Sequence, residues 1–424
     1  MSSIAQYLIM KGYNVMGYDL VPSSIIDLLK SKGVKMFDEN SINDLSNNFK
    51  DMGLEIIYSS AIKNENIILS YFIDKGYKPI KRAVFLALLV NNTESYAIAG
   101  THGKTTTSAI LTHIFKNTNT SFSAFVGGIM LPEKTNFIHE GFDKTVVEAD
   151  EFDRSFLNLR PYCGCITSID SDHLDIYKNH SSLKKAFNDF SKNVTGQLII
   201  HHSINMDGLK YGLNTNADYV FKNCCEIDDG FIVDVNTPKE KALSIFCKVI
   251  GKHNLENMLA ALSLANQSGL SLKEITPSLG TFEGIERRMT IHNISNKIIV
   301  DDYAHHPTEI AVVNKTLRKK YPNSFIEVVF QPHLFSRTKD FLDEFATELS
   351  KFDRVRLMEI YPARETPIDG INSTKILNKI SVKCSLIDKN NFDSNLDKND
   401  AKIIAVLGAG SIGAYLNDYL IRKI

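Results

Sequence analysis

No excess of charge of either sign is present in this 424-residue sequence, which contains 48 lysines and arginines against 49 aspartates and glutamates. Binding to nucleic acid or to an anionic membrane surface is typical of a strong basic bias, so the balance favours small-molecule partners. Long apolar runs are also lacking: the longest, residues 83–90, falls far short of the roughly 18 residues of a membrane span. The N-terminus shows no basic-then-apolar signal pattern. We expect a soluble, cytoplasmic protein without a nucleic-acid or membrane partner.

Cysteine is scarce, and its spacing excludes the usual metal and redox motifs. The six cysteines, at positions 163, 165, 224, 225, 247 and 384, include no CxxC pair. A chain of this length can bury a large core without disulfides, so we predict six free thiols. The length also exceeds what one core normally organises, which predicts two or three domains.

The first ninety residues alternate short apolar runs with helical patterns, as in "YNVMGYDL", "IDLLKSKGVKMF", "LEIIYSSAI" and "ILSYFIDKGYKPI". This alternation predicts βα units around a parallel sheet, in a Rossmann-like arrangement. The strand "NVMGYD" is predicted to end in Asp19, where such folds place an acid for a ribose hydroxyl. The Gly-rich turn that would precede this strand is absent from the sequence.

The stretch "AIAGTHGKTTTSAIL" at residues 97–111 predicts a strand, a glycine-rich turn and a helix. The common phosphate-loop spacing requires glycine at position 98, where this chain has Ile98. The other elements are present, since backbone amides at a helix N-terminus attract phosphate, Lys104 adds a positive charge and Thr105 offers a hydroxyl to Mg²⁺. The alternative is a structural strand-to-helix turn that contains G-K-T.

Two further residues lie at or just beyond predicted strand ends: Glu148 in "VVEADEFD" and His173 in "ITSIDSDHLD". Because the carboxyl ends of parallel strands share one edge of a sheet, both are expected near Thr105. A carboxylate, a hydroxyl and waters suit Mg²⁺, whereas imidazole is a less usual ligand for that ion. The alternatives are a solvated loop acid for Glu148 and a hydrogen-bonded structural histidine for His173.

The remaining sequence predicts short strands and turns over residues 195–250, then the amphipathic helix "HNLENMLAALSLANQSG" closed by Gly269. Four strands are predicted in "KIIVDDYAHHP", "FIEVVFQPH", "RVRLMEIYPA" and "KIIAVLGAGSIG". The polar residues near 388–400 are predicted to form a loop. The GxGxxG in "LGAGSIGAYL" is interpreted as a tight strand-to-helix turn, because a dinucleotide site needs a second strand with an acid about 20 residues later.

The segments "EGIERRMT" and "VDDYAHHPTEI" concentrate charged and imidazole side chains. Adjacent arginines can clamp a phosphoryl group and an acid can bind a ribose, although each residue alone is more often surface charge. The paired histidines lack the further ligands that a zinc site requires. The residues concerned are Arg287, Arg288, Asp301, Asp302, His305 and His306.

The ordered motifs resemble the Mur ligase family of peptidoglycan synthesis over nearly the whole chain. They are "AGTHGKTTT", "EADEFDRSFLNLRP", "DSDHLD", "GKHNLENMLAA", "GIERRM", "DDYAHHPTE", "FQPHLFSRTKDF", "YPARETPIDG" and "GAGSIG". The resemblance is greatest to the branch that adds alanine, and it implies ATP-dependent ligation of L-alanine to the lactyl carboxylate of UDP-N-acetylmuramate through an acyl phosphate. It further implies ATP and Mg²⁺ as cofactors, closure of domains around the reactants, and a monomer or weak homodimer.

The same resemblance assigns site residues. Phosphate binding falls on Gly100, Thr101, His102, Gly103, Lys104, Thr105 and Thr106, and the metal on Thr105, Glu148 and His173. ATP binding further involves His253, Asn254, Asn257, Arg287, Arg288 and Asp302. Substrate binding falls on Asp19, Ser59, Ser60, Tyr303, His305 and Arg337. The catalytic set is Lys104, Glu148, His173, Arg288 and His305.

The fold implied is α/β with three domains: a Rossmann-like UDP-substrate domain over residues 1–94, a central P-loop ATPase domain over 95–290 and a Rossmann-like C-terminal domain over 291–424. Two departures from the family pattern are present. The first strand and Gly-rich turn are missing before Met1, which we interpret as a start codon assigned too late, the other possibility being a shortened enzyme with weak UDP binding. Leu334 stands where many members carry arginine. Phe187 stands where sister ligases carry a carbamylated lysine, which agrees with the branch that adds alanine. The alternatives are a ligase that recycles murein tripeptide and a non-catalytic nucleotide-binding protein.

Overall fold

The computed structural model describes residues 1–20, 23–37, 53–63, 65–152, 154–170, 177, 180–363, 365–398 and 400–423. By their internal contacts the residues form two compact units. Unit 1 comprises Met1–Val249 and Asn254–Glu283, and unit 2 comprises Ile250–His253 and Gly284–Ile424.

The N-terminal residues of unit 1 form alternating short strands and helices, as the sequence predicts. Strand β1 pairs in parallel with β2, and β3 pairs in parallel with β4. The first strand is shorter than expected: it ends at Gly17, so Asp19 lies two residues beyond it and is exposed. The elements are α1 (Ser2–Met10), β1 (Met16–Gly17), α2 (Ser24–Ser31), β2 (Lys35–Met36), β3 (Ile57–Tyr58), α3 (Ile67–Asp74), β4 (Ile80–Lys81) and α4 (Arg82–Val90).

Helices α1 and α4 pack onto the large sheet of unit 1. Tyr7 on α1 lies with its ring centroid 5.5 Å from that of Phe125 and 6.2 Å from that of Phe137. Leu86 and Val90 on α4 belong to the same buried cluster. Burial of such aromatic and aliphatic side chains contributes about 1.5–3 kcal/mol each, which ties the N-terminal residues to this sheet.

The large sheet of unit 1 has strand order β14-β13-β12-β11-β10-β9-β5-β8-β6-β7. Strands β12, β11, β10, β9, β5, β8 and β6 run parallel, and β7, β13 and β14 are antiparallel to their neighbours. The carboxyl ends of β5, β8 and β9 therefore meet at one edge, which is where the candidate site lies. The elements are β5 (Glu94–Ala99), α5 (Lys104–Asn117), β6 (Phe122–Met130), β7 (Thr135–His139), β8 (Lys144–Glu148), β9 (Cys163–Ile166), α6 (His180–Asn193), β10 (Leu198–His201), β11 (Leu209–Leu213), β12 (Tyr219–Ile227), β13 (Gly230–Asn236), β14 (Lys241–Cys247), α7 (Lys252–Gln267) and α8 (Leu272–Leu279), with a 3-10 turn at Ser155–Asn158.

Unit 2 is built on a six-stranded sheet of order β15-β16-β20-β17-β18-β19. Only β15 is antiparallel to its neighbour. The runs "IEVVF" and "IIAVL" are buried throughout, as expected for parallel strands covered by helices on both faces. The elements are β15 (Thr290–Ile294), β16 (Lys297–Asp302), α9 (Pro307–Lys320), β17 (Ile326–Phe330), α10 (Phe335–Asp340), α11 (Leu342–Leu349), β18 (Arg354–Leu357), α12 (Ser373–Leu377), β19 (Lys383–Leu386), α13 (Phe392–Asp397), β20 (Ile403–Leu407) and α14 (Ile412–Lys423), with a 3-10 turn at Lys389–Asn391.

The prediction of a loop near residues 388–400 is wrong. Helix α13 lies there, and its Phe392 and Leu396 are buried in the cluster that covers one face of the sheet. Two apolar residues at i and i+4 suffice to place one turn of helix against a core, although the surrounding residues are polar. The prediction of six free thiols is confirmed. Among the described residues, no helix is long and apolar enough to cross a membrane.

Candidate active site

The glycine-rich turn between β5 and α5 forms a loop that admits no side chain at its two glycines. Gly100 has φ of 136° and Gly103 has φ of 85°, both in the region that favours glycine. A Cβ at Gly100 would lie 2.0 Å from Thr167 Oγ1, and a Cβ at Gly103 would lie 2.4 Å from Asn257 Oδ1. Because α5 begins at Lys104, its first backbone N–H groups are available to an anion.

Side chains after β9 hold this loop in place. Thr101 Oγ1 and Ser168 Oγ lie 2.9 Å apart, and the backbone N–H of His102 donates to Ser168 Oγ at 2.8 Å. The backbone N–H of Asp170 donates to Thr101 Oγ1 at 3.0 Å, and the Asp170 carboxylate lies 3.6 Å from His102 Nε2. Residues 168 and 170 of the segment "ITSIDSDHLD" thus contact the loop, and the predicted metal ligand His173 of the same segment is outside the described residues.

Lys104 is bound by an acid that the sequence analysis did not single out. Its Nζ donates to Gly100 O at 2.6 Å and to the two carboxylate oxygens of Glu151 at 2.8 and 3.0 Å. Burial of the ammonium acts to lower the pKa of Lys104, but the charges of Glu151, Asp150 and Glu148 outweigh it and raise that pKa. Glu151 lies in the quoted motif "EADEFD", three residues after Glu148. This position near a predicted site residue was the signal in the sequence that could have identified Glu151 as part of the site.

The Glu148 carboxylate lies at the end of β8 among oxygen and nitrogen donors. Thr105 Oγ1 donates to Glu148 Oε2 at 3.0 Å, and Ser108 Oγ donates to Glu148 Oε1 at 3.1 Å. The backbone N–H of Gly127 also donates to this carboxylate. Thr106, the next residue on α5, is buried. The structure therefore brings the predicted pair of Thr105 and Glu148 together, with Ser108 and Gly127 as additional neighbours.

Helix α7 contributes the predicted adenine-side asparagines to unit 1. Asn257 Nδ2 donates to Asn254 Oδ1 at 3.2 Å, and Asn257 lies against Gly103 of the loop. Both asparagines are buried. His253 precedes them and lies over Gly251, where a Cβ would be 2.8 Å from its Cε1.

In unit 2, Asp302 ends β16 in a buried position. Its Oδ1 accepts from the N–H of Ala304 at 2.8 Å, and its Oδ2 accepts from the N–H of Met289 at 2.7 Å. Burial raises the pKa of Asp302 to about 6, against the opposing effects of the Arg288 charge and of these two N–H groups. The Arg288 guanidinium lies 5.0 Å from the centroid of the Tyr303 ring. The structure thus brings Asp302, Arg288 and Tyr303 together.

Arg287 lies 5.2 Å from the centroid of the same Tyr303 ring and also contacts the GxGxxG turn before α14. Its Nη2 donates to Gly408 O, its Nε lies 3.3 Å from Asp301 Oδ1, and its guanidinium fills the space that a Cβ on Gly413 would need. Burial raises the pKa of Asp301 to about 6, against the effect of Arg287. The turn joins β20 directly to α14, which confirms the interpretation of a tight strand-to-helix turn.

A row of four rings extends from the end of β16, and we call it the aromatic row: Tyr303, His305, His333 and Tyr361. Successive ring centroids lie 5.4, 5.9 and 5.7 Å apart. Arg337 is buried beside the row, with its Nη1 3.4 Å from His333 Nδ1. Three of these five residues were predicted from the sequence, whereas His333 and Tyr361, which lie in the quoted motifs "FQPH" and "YPARETPIDG", were not.

The two adjacent histidines differ in their contacts. His306 caps α9, since its Nδ1 accepts from the N–H of Thr308 at 3.3 Å. His305 Nδ1 lies 2.9 Å from Tyr303 O, and Glu309 accepts from the N–H of His305 at 2.9 Å. Only His305 therefore belongs to the aromatic row.

The predicted UDP-binding residues lie beyond the ends of the short N-terminal strands. Ser59 directly follows β3, and its Oγ accepts from the N–H of Ala61 at 3.2 Å. Ser60 is exposed, as is Asp19 after β1. The two strands that they follow, β1 and β3, belong to separate two-stranded sheets.

A phosphate loop at the carboxyl edge of parallel strands, with a lysine, a hydroxyl and a carboxylate at its helix, defines an enzyme that handles nucleotide phosphates. Three family models match the chain: "Mur ligase family, catalytic domain" over residues 1–94, "Mur ligase middle domain" over 98–265 and "Mur ligase, glutamate ligase domain" over 287–410. The chain belongs to the Mur ligase family. It is an ATP-dependent, amide-bond-forming ligase.

Individual relatives agree with this assignment. The chain is 41% identical over 418 residues to the UDP-N-acetylmuramate–L-alanine ligase of Flavobacterium psychrophilum, covering 97% of this chain and 93% of the relative. Its fold is similar to the crystal structure of a UDP-N-acetylmuramate-alanine ligase from Thermotoga maritima, with a TM-score of 0.83, 24% identity and coverage of 100% and 96%. A murein peptide ligase from Psychrobacter arcticus gives a TM-score of 0.72 at 21% identity, with coverage of 99% and 96%. The three-domain Mur ligase fold expected from the sequence is thereby confirmed.

Proposed function

We propose that the protein joins L-alanine to the lactyl carboxylate of UDP-N-acetylmuramate, with conversion of ATP to ADP and phosphate, in the synthesis of peptidoglycan precursors. The observation that carries the proposal is the 41% identity to an L-alanine ligase over 97% of the chain. The described phosphate loop and the aromatic row supply residues suited to the two steps that such a reaction requires.

In the first step, a carboxylate oxygen of the substrate bonds to the γ-phosphorus of ATP and the bond to the β-phosphate oxygen breaks, which releases ADP. Little covalent chemistry falls to the protein, so placement and charge neutralisation determine the rate. The backbone from Gly100 to Thr106 binds the phosphates, and Lys104 supplies positive charge. Arg288 supplies a second positive charge, and Asp302 binds the ribose. Asn254, Asn257 and His253 contact the adenine side.

The oxygen-rich cluster at Glu148 fits Mg²⁺. Glu148 presents a carboxylate and Thr105 a hydroxyl 3.0 Å away, and these are the donor types that Mg²⁺ prefers in protein sites that also retain several waters. Among the residues that the structure describes, no group of three His, Cys, Asp or Glu side chains surrounds one point. Glu148, Thr105 and, by family resemblance, His173 would hold the ion, which when bound neutralises charge on the phosphates.

In the second step, the amine of L-alanine bonds to the acyl-phosphate carbon, the C–O bond to phosphate breaks, and the amine loses a proton. Arg337 binds the alanine carboxylate, because a guanidinium matches that group with paired hydrogen bonds. His305 accepts the proton: a hydrogen bond from Nδ1–H to Tyr303 O, at 2.9 Å, fixes the neutral tautomer with its lone pair on Nε2. Tyr303 forms the wall beside these two side chains.

We further infer that residues 1–94 bind the UDP part of the substrate through Asp19, Ser59 and Ser60. Residues 95–290 and 291–424 would form the ATPase and amino-acid domains. The protein would act in the cytoplasm, where ATP is available, as a monomer or weak homodimer.

The proposal is tested by measuring ADP release and by determining the product mass. We expect ADP release only when ATP, UDP-N-acetylmuramate and L-alanine are all present, together with a product heavier than the UDP-sugar by one alanine residue. Arg337→Lys should raise the KM for L-alanine, whereas Arg318→Lys, which alters a surface pair with Asp353 at 2.8 Å, should not. ADP release that does not depend on L-alanine would refute the proposal.

A further inference from the structure

The ammonium of Lys104 has all three of its hydrogen-bond donors engaged. Its acceptors are Gly100 O at 2.6 Å and the two Glu151 carboxylate oxygens at 2.8 and 3.0 Å. An ammonium has three N–H donors and no acceptor. A phosphate oxygen therefore obtains a hydrogen bond from Lys104 only by sharing or replacing one of these acceptors.

Glu151 cannot easily give up this partner. Its side chain is 0% exposed, whereas that of Lys104 is 15% exposed. Its backbone is also fixed, because Tyr177 Oη donates to Glu151 O at 2.6 Å. Separating this buried carboxylate from an ammonium that is itself buried would cost desolvation of both charges, so the pair holds Lys104 towards Glu151.

We propose that Glu151 is a positioning residue: it fixes the Lys104 ammonium in the phosphate loop and competes with nucleotide phosphate for its hydrogen bonds. The inference rests on the proposed function in one respect, namely that this loop binds ATP. It goes beyond that function by assigning a role to an acid that contacts Lys104 rather than the nucleotide.

The competition has opposite consequences for binding and for rate. The negative charge of Glu151 weakens ground-state binding of phosphates in two ways: it repels them, and its carboxylate oxygens occupy N–H donors of Lys104 that a phosphate would otherwise use. The same carboxylate holds the ammonium at one position, and catalysis benefits from a charge that needs no reorganisation while the phosphoryl group moves. Removing the Glu151 charge should therefore tighten nucleotide binding and slow turnover.

The test compares Glu151→Gln with the wild type in two measurements. The first is the Kd for ADP by calorimetry without added metal, and the second is kcat for ADP release at saturating substrates. We expect ADP to bind at least about threefold more tightly, because one nearby negative charge is removed. We expect kcat to fall by about tenfold or more, because the ammonium is no longer fixed. Glu151→Asp retains the carboxylate, so its ADP Kd and its kcat should be intermediate between those of the wild type and of Glu151→Gln. This variant replaces Glu151→Gln in the test if the glutamine variant fails to fold.

A matched control is available at the other end of α5, where Lys116 pairs with Glu133 at 2.7 Å. Glu133→Gln makes the same chemical change in the partner of a lysine on the same helix and should leave the ADP Kd and kcat unchanged. A purely structural role for Glu151 would weaken ADP binding together with kcat, and that result would overturn the inference, as would an unchanged ADP Kd. Tighter ADP binding by Glu151→Gln, in a protein whose wild type shows no turnover with L-alanine, would support the inference while refuting the proposed function.

Discussion

Replacement of Lys104 by methionine should destabilise unit 1 strongly, although the site is at a loop. The variant keeps a side chain of similar length but leaves Glu151, 0% exposed, without the ammonium that lies 2.8 Å from it. Removing one partner of a buried ion pair typically costs about 3–5 kcal/mol, because the remaining buried charge loses its counter-ion. For a unit of roughly 280 residues this corresponds to a decrease in Tm of about 5–9 °C.

The converse substitution, Glu151→Gln, should cost less. The remaining Lys104 is 15% exposed and can extend its ammonium towards water, so its charge is solvated more easily than that of Glu151. The double variant, Lys104→Met with Glu151→Gln, should be more stable than Lys104→Met alone, because it removes both charges of the buried ion pair.

Thermal unfolding followed by circular dichroism measures all three variants. Lys116→Met is the control. The side chain of Lys116 is 40% exposed and that of its partner Glu133 is 15% exposed, so breaking this ion pair should cost less than about 1 kcal/mol. Equal losses for Lys104→Met and Glu151→Gln, or additive losses in the double variant, would refute the reasoning about which charge is buried.

Three further perturbations test separate parts of the account. Gly127→Ala places a Cβ 2.6 Å from Glu148 Oε2 and should therefore displace this carboxylate. The Mg²⁺ concentration for half-maximal ADP release should rise by about tenfold. An unchanged Mg²⁺ concentration for half-maximal release would argue against Glu148 as a metal ligand. Burial raises the pKa of Asp302 to about 6. Between about pH 4 and 6 this carboxyl therefore keeps its proton in the folded protein and loses it in the unfolded chain, so the free energy of unfolding falls as the pH rises through this range. Relative to Asp302→Asn, the wild type should lose about 2 kcal/mol of unfolding free energy between pH 4 and 7, and parallel pH profiles from chemical denaturation would contradict this. Leu334→Arg adds a guanidinium three residues before Arg337 and should lower the KM for L-alanine by about tenfold with little change in kcat; an unchanged KM would show that position 334 does not face the amino acid.

The sequence predicted those parts of the fold that depend on local pattern. The loop from Gly100 to Thr106 follows from a strand, glycines and a helix start in sequence, and the structure has β5, the loop and α5 in that order. The buried strands β17 and β20 follow from continuous runs of β-branched residues. Both signals lie within a few residues of the feature they predict.

Other parts depend on contacts between distant residues and could not be predicted in this way. Glu151 is 47 residues from Lys104, and only the alignment of β5 with β8 brings them together. The contact of the Arg287 guanidinium with Gly408 joins residues 121 positions apart, and the assignment of Arg287 to ATP stays a prediction. Helix α13 was missed because its two buried residues gain their stability from a core formed elsewhere in the sequence.

The most direct test of the proposed function offers the protein one donor and two acceptor amines. ADP release is measured in two parallel reactions, both with ATP, Mg²⁺ and UDP-N-acetylmuramate. One reaction contains L-alanine and the other contains the preformed murein tripeptide. The account predicts rapid release with L-alanine and none above background with the tripeptide. Release with the tripeptide alone would identify a recycling ligase, and release with neither would indicate a nucleotide-binding protein without ligase activity; either result would contradict the account.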